Sequence, residues 1–219
     1  MKLRLIQKDI RDLDMVRHLS EASHRHPDLV CFGELAVSGC LYAGGQGYSV
    51  QEMTAVLSGY PFSIFVGFPC RRQGGLYNSY MYFKDGKYQI YDKINLFEPM
   101  NEPTVYLPGQ TPGLFETDLG RLGVATCYDL RFPDLFRQLR EGGAEKIFVP
   151  AAFPLARIGD WKELIAQRAR ETGVPVVGIN AVGRDGTNEF GGCSMVAAPD
   201  GEILTEADES SELALEIDL

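Results

Sequence analysis

The chain has 219 residues, 45% hydrophobic and 23% charged, an ordinary globular mixture that excludes a disordered tail, a collagen-like chain or a coiled coil. Length and composition suit one α/β domain over residues 1–219. Twenty-one basic against 30 acidic residues leave a net charge of −9, which argues against nucleic acid and anionic membrane as partners.

No apolar run approaches the roughly 20 residues of a membrane span, and MKLRLIQKDI lacks the apolar segment and cleavage site of a secretion signal. Five scattered cysteines, Cys31, Cys40, Cys70, Cys127 and Cys193, contain no C-x-x-C pair. The expectation is a cytoplasmic protein with reduced thiols and no structural zinc.

Strand-like and helix-like runs alternate along the chain. Residues 3–7 read as a strand, 12–25 as a helix, and 28–32 as an apolar strand of the buried parallel type. A glycine-rich loop leads to a short helix at 50–58 and a strand at 62–68. Residues 77–93 then form a hairpin turning at Asp85-Gly86. A long loop from Ile94 to Gly113 carries Pro99, Pro103, Pro108 and Pro112, and unstructured loops longer than about 12–15 residues are usually functional. Beyond it the pattern predicts strands at 114–117 and 121–127, a helix at 132–141, a strand at 146–151, a helix at 161–172 and a strand at 174–181. A hairpin turning at Asp200-Gly201 and a final strand complete the chain.

The informative stretch is RLGVATCYDLRFPDLFRQL, where a buried strand runs into Cys127 and a helix starts near Phe132. A thiol on such a turn projects from the sheet beside backbone N–H groups able to stabilise an oxyanion, although a free cysteine there equally suits a small core residue. The histidines His18, His24 and His26 sit in or just after the first helix, away from Cys127, and read as solvated surface. A base must come from elsewhere. Glu34 ends the apolar run DLVCFGELAVSG and Lys93 ends KYQIYDK; singly, each also reads as an exposed strand-end charge.

Taken together, Glu34 in CFGELAVSG, Lys93 in YDKINLF and Cys127 in ATCYDLRFP resemble, in order and spacing, the three motifs of the carbon–nitrogen hydrolase (nitrilase-like) family. PAAFP at 150–154, WKELIAQRARETG at 161–173 and GCSMVAAPDGEIL at 192–204 extend the similarity over nearly the whole chain. The resemblance implies a single-domain four-layer α-β-β-α sandwich and a hydrolase needing no cofactor or metal. Glu34 would act as the base, Cys127 as the nucleophile through a thioester, and Lys93 with the Tyr128 backbone N–H as the oxyanion site. A nearby lysine would also favour the Cys127 thiolate.

Glu102 resembles the family's second glutamate, which orients the lysine or the substrate, with a solvated loop acid as the other reading. Phe153 and Arg131 are candidate substrate contacts, Arg131 being read first as a structural partner of Asp129 or Asp134. Gly33, Cys40 and Asn95 depart from the usual family residues beside the motifs, and the segment between Gly39 and Leu76 is short.

Tyr128 and Asp129 after the cysteine resemble the amidase branch, most closely the ω-amidase and deaminated-glutathione amidase group. The expected partner is therefore a small-molecule amide, and the expected assembly a homodimer or higher homo-oligomer. Competing readings are an N-carbamoyl amine hydrolase with the same triad, a catalytically silent binding subunit of the same fold, and a redox-sensing cysteine protein.

Overall fold

The structure is a computed structural model describing residues 1–39, 47–186 and 188–219; Cys40 and most of the glycine-rich loop lie outside the described residues. Two six-stranded mixed sheets lie face to face. The first contains β1 (Lys2–Gln7), β2 (Leu29–Phe32), β3 (Ser63–Arg72), β4 (Gly75–Lys84) and β5 (Lys87–Asp92) in chain order, with β14 (Leu213–Asp218) antiparallel on β1. Its β1, β2 and β3 are parallel, and β3, β4 and β5 form an antiparallel meander.

The second sheet runs β13-β12-β9-β8-β7-β6, formed by β6 (Gly113–Thr117), β7 (Gly120–Val124), β8 (Lys146–Pro150), β9 (Val176–Ile179), β12 (Met195–Ala197) and β13 (Ile203–Glu206). Here β7, β8 and β9 are parallel. A separate antiparallel pair, β10 (Val182–Asp185) with β11 (Asn188–Gly191), stands beside them.

Alternation along buried strands builds the layers. Leu29 and Cys31 of β2, with Leu3, Leu5 and Phe65, face Val124, Phe148, Val177 and Ile179 across the space between the sheets. Val30 and Phe32 point the other way, onto Met15, Leu19 and Ala22 of α1 (Met15–Ser23) and Met53 and Leu57 of α2 (Val50–Leu57). On the far side, Ile147 and Val149 meet Leu135, Phe136 and Leu139 of α3 (Pro133–Glu141) and Trp161, Ile165 and Ala169 of α4 (Ile158–Thr172). The result is an α-β-β-α sandwich. Among the described residues no helix is long and apolar enough to cross a membrane.

Local chemistry moves several boundaries. The first helix begins at Met15 because Asp14 caps it, accepting from Arg17 N at 2.9 Å. His18, expected at the surface, is instead buried with Nε2 2.6 Å from Asp12 Oδ2, whereas His24 and His26 are exposed. The strand expected to reach Cys127 ends at Val124 and gives way to a 3-10 turn over Cys127–Arg131. Short 3-10 turns at Glu98–Met100 and Glu102–Thr104 order part of the proline-bearing loop. The β10–β11 pair has no counterpart in the sequence reading.

Candidate active site

Glu34 follows β2 after one glycine, and its backbone crosses directly over β3. Gly67 makes this possible: a Cβ there would stand 2.5 Å from the Gly33 carbonyl oxygen and 2.6 Å from the Leu35 nitrogen. Lys93 directly follows β5. Its N–H donates to the Asn78 carbonyl at 2.9 Å and its carbonyl accepts from Gly109 at 2.8 Å, so its backbone is fixed on both sides.

The side chains of Glu34, Lys93 and Glu102 are buried and meet. Lys93 Nζ donates to Glu34 Oε1 at 2.9 Å and to Glu102 Oε2 at 2.8 Å. Asn78 Nδ2 donates to both acids, 2.8 Å from Glu34 Oε1 and 2.8 Å from Glu102 Oε1. Backbone amides complete the shell, Ala152 N on Glu34 Oε2 at 3.0 Å and Phe97 N on Glu102 Oε2 at 2.6 Å. Glu102 is thus no solvated loop acid. Charges buried this way persist only because each has partners.

Cys127 occupies the turn after β7 with φ +47°, a left-handed conformation that is strained for a non-glycine residue. Asp129 holds this turn to the end of β5. Its carboxylate accepts from Tyr91 Oη at 2.7 Å, Thr126 N at 2.8 Å, Asn95 N at 2.9 Å and Asn95 Nδ2 at 2.8 Å. Burial pushes the Asp129 carboxyl up, against the pull of Tyr91, Lys93 and the two amides. Asn95, a departure by sequence, therefore has a structural task.

The expected pull of Lys93 toward the Cys127 thiolate is present, but larger effects oppose it. Burial and then the Glu34 carboxylate hold the Cys127 thiol well above the usual cysteine range, outweighing the pull of Lys93 and the Ala152 amide. Burial would lower Lys93, but Glu34, Cys127 and Glu102 outweigh it and hold the ammonium well above the usual lysine range. Two carboxyl groups already face one ammonium, so a resting thiolate would add negative charge where it is in excess. Burial and Glu34 thus push the thiol toward its neutral form beside a charged lysine.

Half-buried Cys127 opens on a cavity of about 190 Å³ lined by Lys93, Phe153, Arg131, Arg157 and Asn188 among others. Tyr128 borders it, tilted against Phe97 at 5.0 Å and edge-on to Phe132 at 5.4 Å. A wider trough of about 850 Å³ under the proline-bearing loop shares only Tyr128 with this cavity and holds none of Glu34, Lys93 and Cys127.

Arg131 pairs with neither acid named from sequence. Its Nη2 lies 2.7 Å from Asp160 Oδ2, Asp134 being taken by Arg137 at 2.9 Å and Asp129 by its four donors. Phe153 is pinned by its N–H on Asn180 Oδ1 at 2.7 Å and by Gly191 N on its carbonyl at 3.1 Å. Sequence reasoning missed Asn78, Ala152 N and Arg157. A polar Asn inside an otherwise apolar-aromatic strand was the available signal for the first; the others depend on contacts distant in sequence. Among the described residues no three His, Cys, Asp or Glu side chains group as a metal site.

Comparison with known proteins gives concordant relatives. The 2-oxoglutaramate amidase of Bacillus subtilis (strain 168) is 37% identical over 153 residues, 68% of this chain and 59% of that protein. The deaminated glutathione amidase of Yersinia enterocolitica is 39% identical over 124 residues, 52% of this chain and 43% of that protein. The matched region therefore spans about half of the length of these curated relatives. A CN-hydrolase superfamily protein from Xanthomonas campestris, solved with an arsenic adduct in its active site, superposes with a TM-score of 0.84 at 25% identity, covering 99% of this chain and 89% of that one. The carbon-nitrogen hydrolase family model matches residues 13–219. Because that match takes in every described helix and every strand but the first, this chain belongs to the carbon-nitrogen hydrolase family.

Proposed function

We propose that residues 1–219 act as one amidohydrolase domain cleaving a small carboxamide to carboxylate and ammonia, with Glu34, Lys93 and Cys127 as the triad. The observation that carries the reading is the buried Lys93 ammonium between Glu34 and Glu102, at the base of the cavity on which Cys127 opens.

Glu34 takes the proton of Cys127 as Sγ attacks the amide carbon. Lys93 Nζ, with the Tyr128 N–H, receives the charge developing on the carbonyl oxygen. Glu34 then protonates the departing nitrogen, the C–N bond breaks, and ammonia leaves a thioester on Cys127. In the second half Glu34 takes a proton from water, the resulting hydroxide attacks the thioester, and the C–S bond breaks with the proton returning to sulfur. Glu102 keeps Lys93 fixed throughout. A thiol that rests protonated suits this scheme, since the attacking sulfur is unmasked only as the base receives its proton.

The cavity of about 190 Å³ falls below the roughly 300–1,000 Å³ of sites for drug-sized ligands and favours a short acyl chain. The relatives named 2-oxoglutaramate amidase and deaminated glutathione amidase support an ω-amide of a small dicarboxylate as substrate. The free buried cysteines Cys31, Cys70 and Cys193 suit a reducing, cytoplasmic setting, and the resemblance carries with it a homo-oligomer.

Ammonia release from succinamate, 2-oxoglutaramate, butyramide, an N-carbamoyl amino acid and a nitrile, beside Cys127→Ala, tests the reading. Turnover of the amides, lost by about 10⁴-fold or more in the variant, is expected when a covalent nucleophile is removed. Turnover surviving the substitution, or carbon dioxide release from the carbamoyl compound alone, contradicts it.

A further inference from the structure

Two guanidinium groups line the cavity, and only one is engaged. Arg131 is tied to Asp160 at 2.7 Å and lies over the Phe153 ring at 5.9 Å. Arg157, exposed at the lip, has no ion pair or side-chain hydrogen bond among the described residues, in a chain where acids outnumber bases 30 to 21. We infer that Arg157 is the specificity-determining residue that receives a carboxylate at the far end of the substrate's acyl chain. This rests on the amidase reading and adds to it the residue that selects acidic amides over neutral ones.

Four observations converge on Arg157. First, it is placed rather than loose: it closes the 3-10 turn Leu155–Arg157, its N–H donates to Pro154 O at 3.0 Å, and the chain passes directly into α4. Phe153 just before the turn is held on both sides, and Pro154 bridges to Phe190 of β11. Second, a planar guanidinium presents paired N–H donors that match the two oxygens of a carboxylate. Third, Asn188 on β11 lines the same cavity and adds an amide able to donate to the same anion. Fourth, a net charge of −9 opposes entry of an anionic substrate, so a local cation left without an acid gives such a substrate a reason to settle there. Asp160, the acid closest in sequence, is occupied by Arg131, which leaves Arg157 available.

The test compares succinamate with butyramide, which replaces the carboxylate by a methyl group, in wild type, Arg157→Ala and Arg157→Lys. The expected result is a KM for succinamate raised about 10- to 100-fold in Arg157→Ala, with kcat within about threefold. The change for butyramide should be at least tenfold smaller, and Arg157→Lys should fall between. Equal losses on the two amides, or no loss on either, overturn the inference.

A second readout needs no turnover: protection of Cys127 from iodoacetamide by succinate, read by mass spectrometry on protein of unchanged melting temperature. Wild type should be protected, and Arg157→Ala should require at least tenfold more succinate. Absent or equal protection overturns the inference. If wild type hydrolyses no amide at all, the amidase reading fails by itself, while the protection assay still decides whether Arg157 receives a carboxylate.

Discussion

A thiol beside a carboxylate and an ammonium could rest in either of two protonation states, and here burial and Glu34 decide for the neutral one. This has a measurable sign. Because the thiol of Cys127 is held above the ordinary range, its thiolate fraction, and with it the rate of iodoacetamide labelling, should climb by roughly tenfold per pH unit through pH 9 without levelling. A plateau below pH 7 would mean instead a resting thiolate–lysinium pair. Asn78 belongs to the same balance: one side-chain amide donates to two carboxyl groups that Lys93 alone would have to separate. Of the candidate site residues, Glu34, Lys93 and Cys127 are singled out from sequence because of their flanking motifs. Asn78 offers only the weaker signal of a polar residue within its strand, since its two carboxylate partners lie 44 and 24 residues away.

Among the elements, the crossing of the Gly33–Leu35 backbone over β3 fixes where Glu34 stands. Replacing Gly67 by Ala puts a Cβ within 2.6 Å of the Leu35 nitrogen and 2.9 Å of the Glu34 Cα, so the backbone bearing Glu34 must move. The expected outcome is a destabilisation of about 1–3 kcal/mol with kcat reduced at least tenfold in protein that remains folded, measured by thermal melts and ammonia release. Wild-type kcat in Gly67→Ala would mean that Glu34 tolerates displacement. The hairpin at Asp85-Gly86 was legible because a turn dipeptide and strand alternation coincide there. The β10–β11 pair escaped notice because its strands are short and its turn end, Arg184 and Asp185, is exposed and charged, leaving little apolar period to read.

For the whole molecule, the two sheets are joined by an aromatic cluster centred on Phe65. Its ring lies 5.1 Å from Tyr80 and 5.4 Å from Tyr82 in its own sheet, and 5.6 Å from Phe115 and 5.0 Å from Phe148 in the other. Phe65→Ala should cost about 3–5 kcal/mol. At roughly 2–4 °C per kcal/mol for a chain of this size, that is a fall in Tm of about 6–20 °C. The loss should exceed that of any single exposed substitution, and an unchanged Tm would show that the sheets dock without this cluster.

The same junction has a temporal meaning. Glu34, Asn78 and Lys93 come from the first sheet and its loops, Cys127 and Ala152 from the second, and the Ala152–Glu34 and Tyr91–Asp129 hydrogen bonds cross between them. A slip of one strand residue is about 3.3 Å, more than a hydrogen bond can bridge. A chain with both sheets formed but not yet seated would carry an ordinary, idle cysteine. Catalysis, as distinct from simple thiol alkylation, would arrive as the closing event of folding and be the first property surrendered when the halves begin to part.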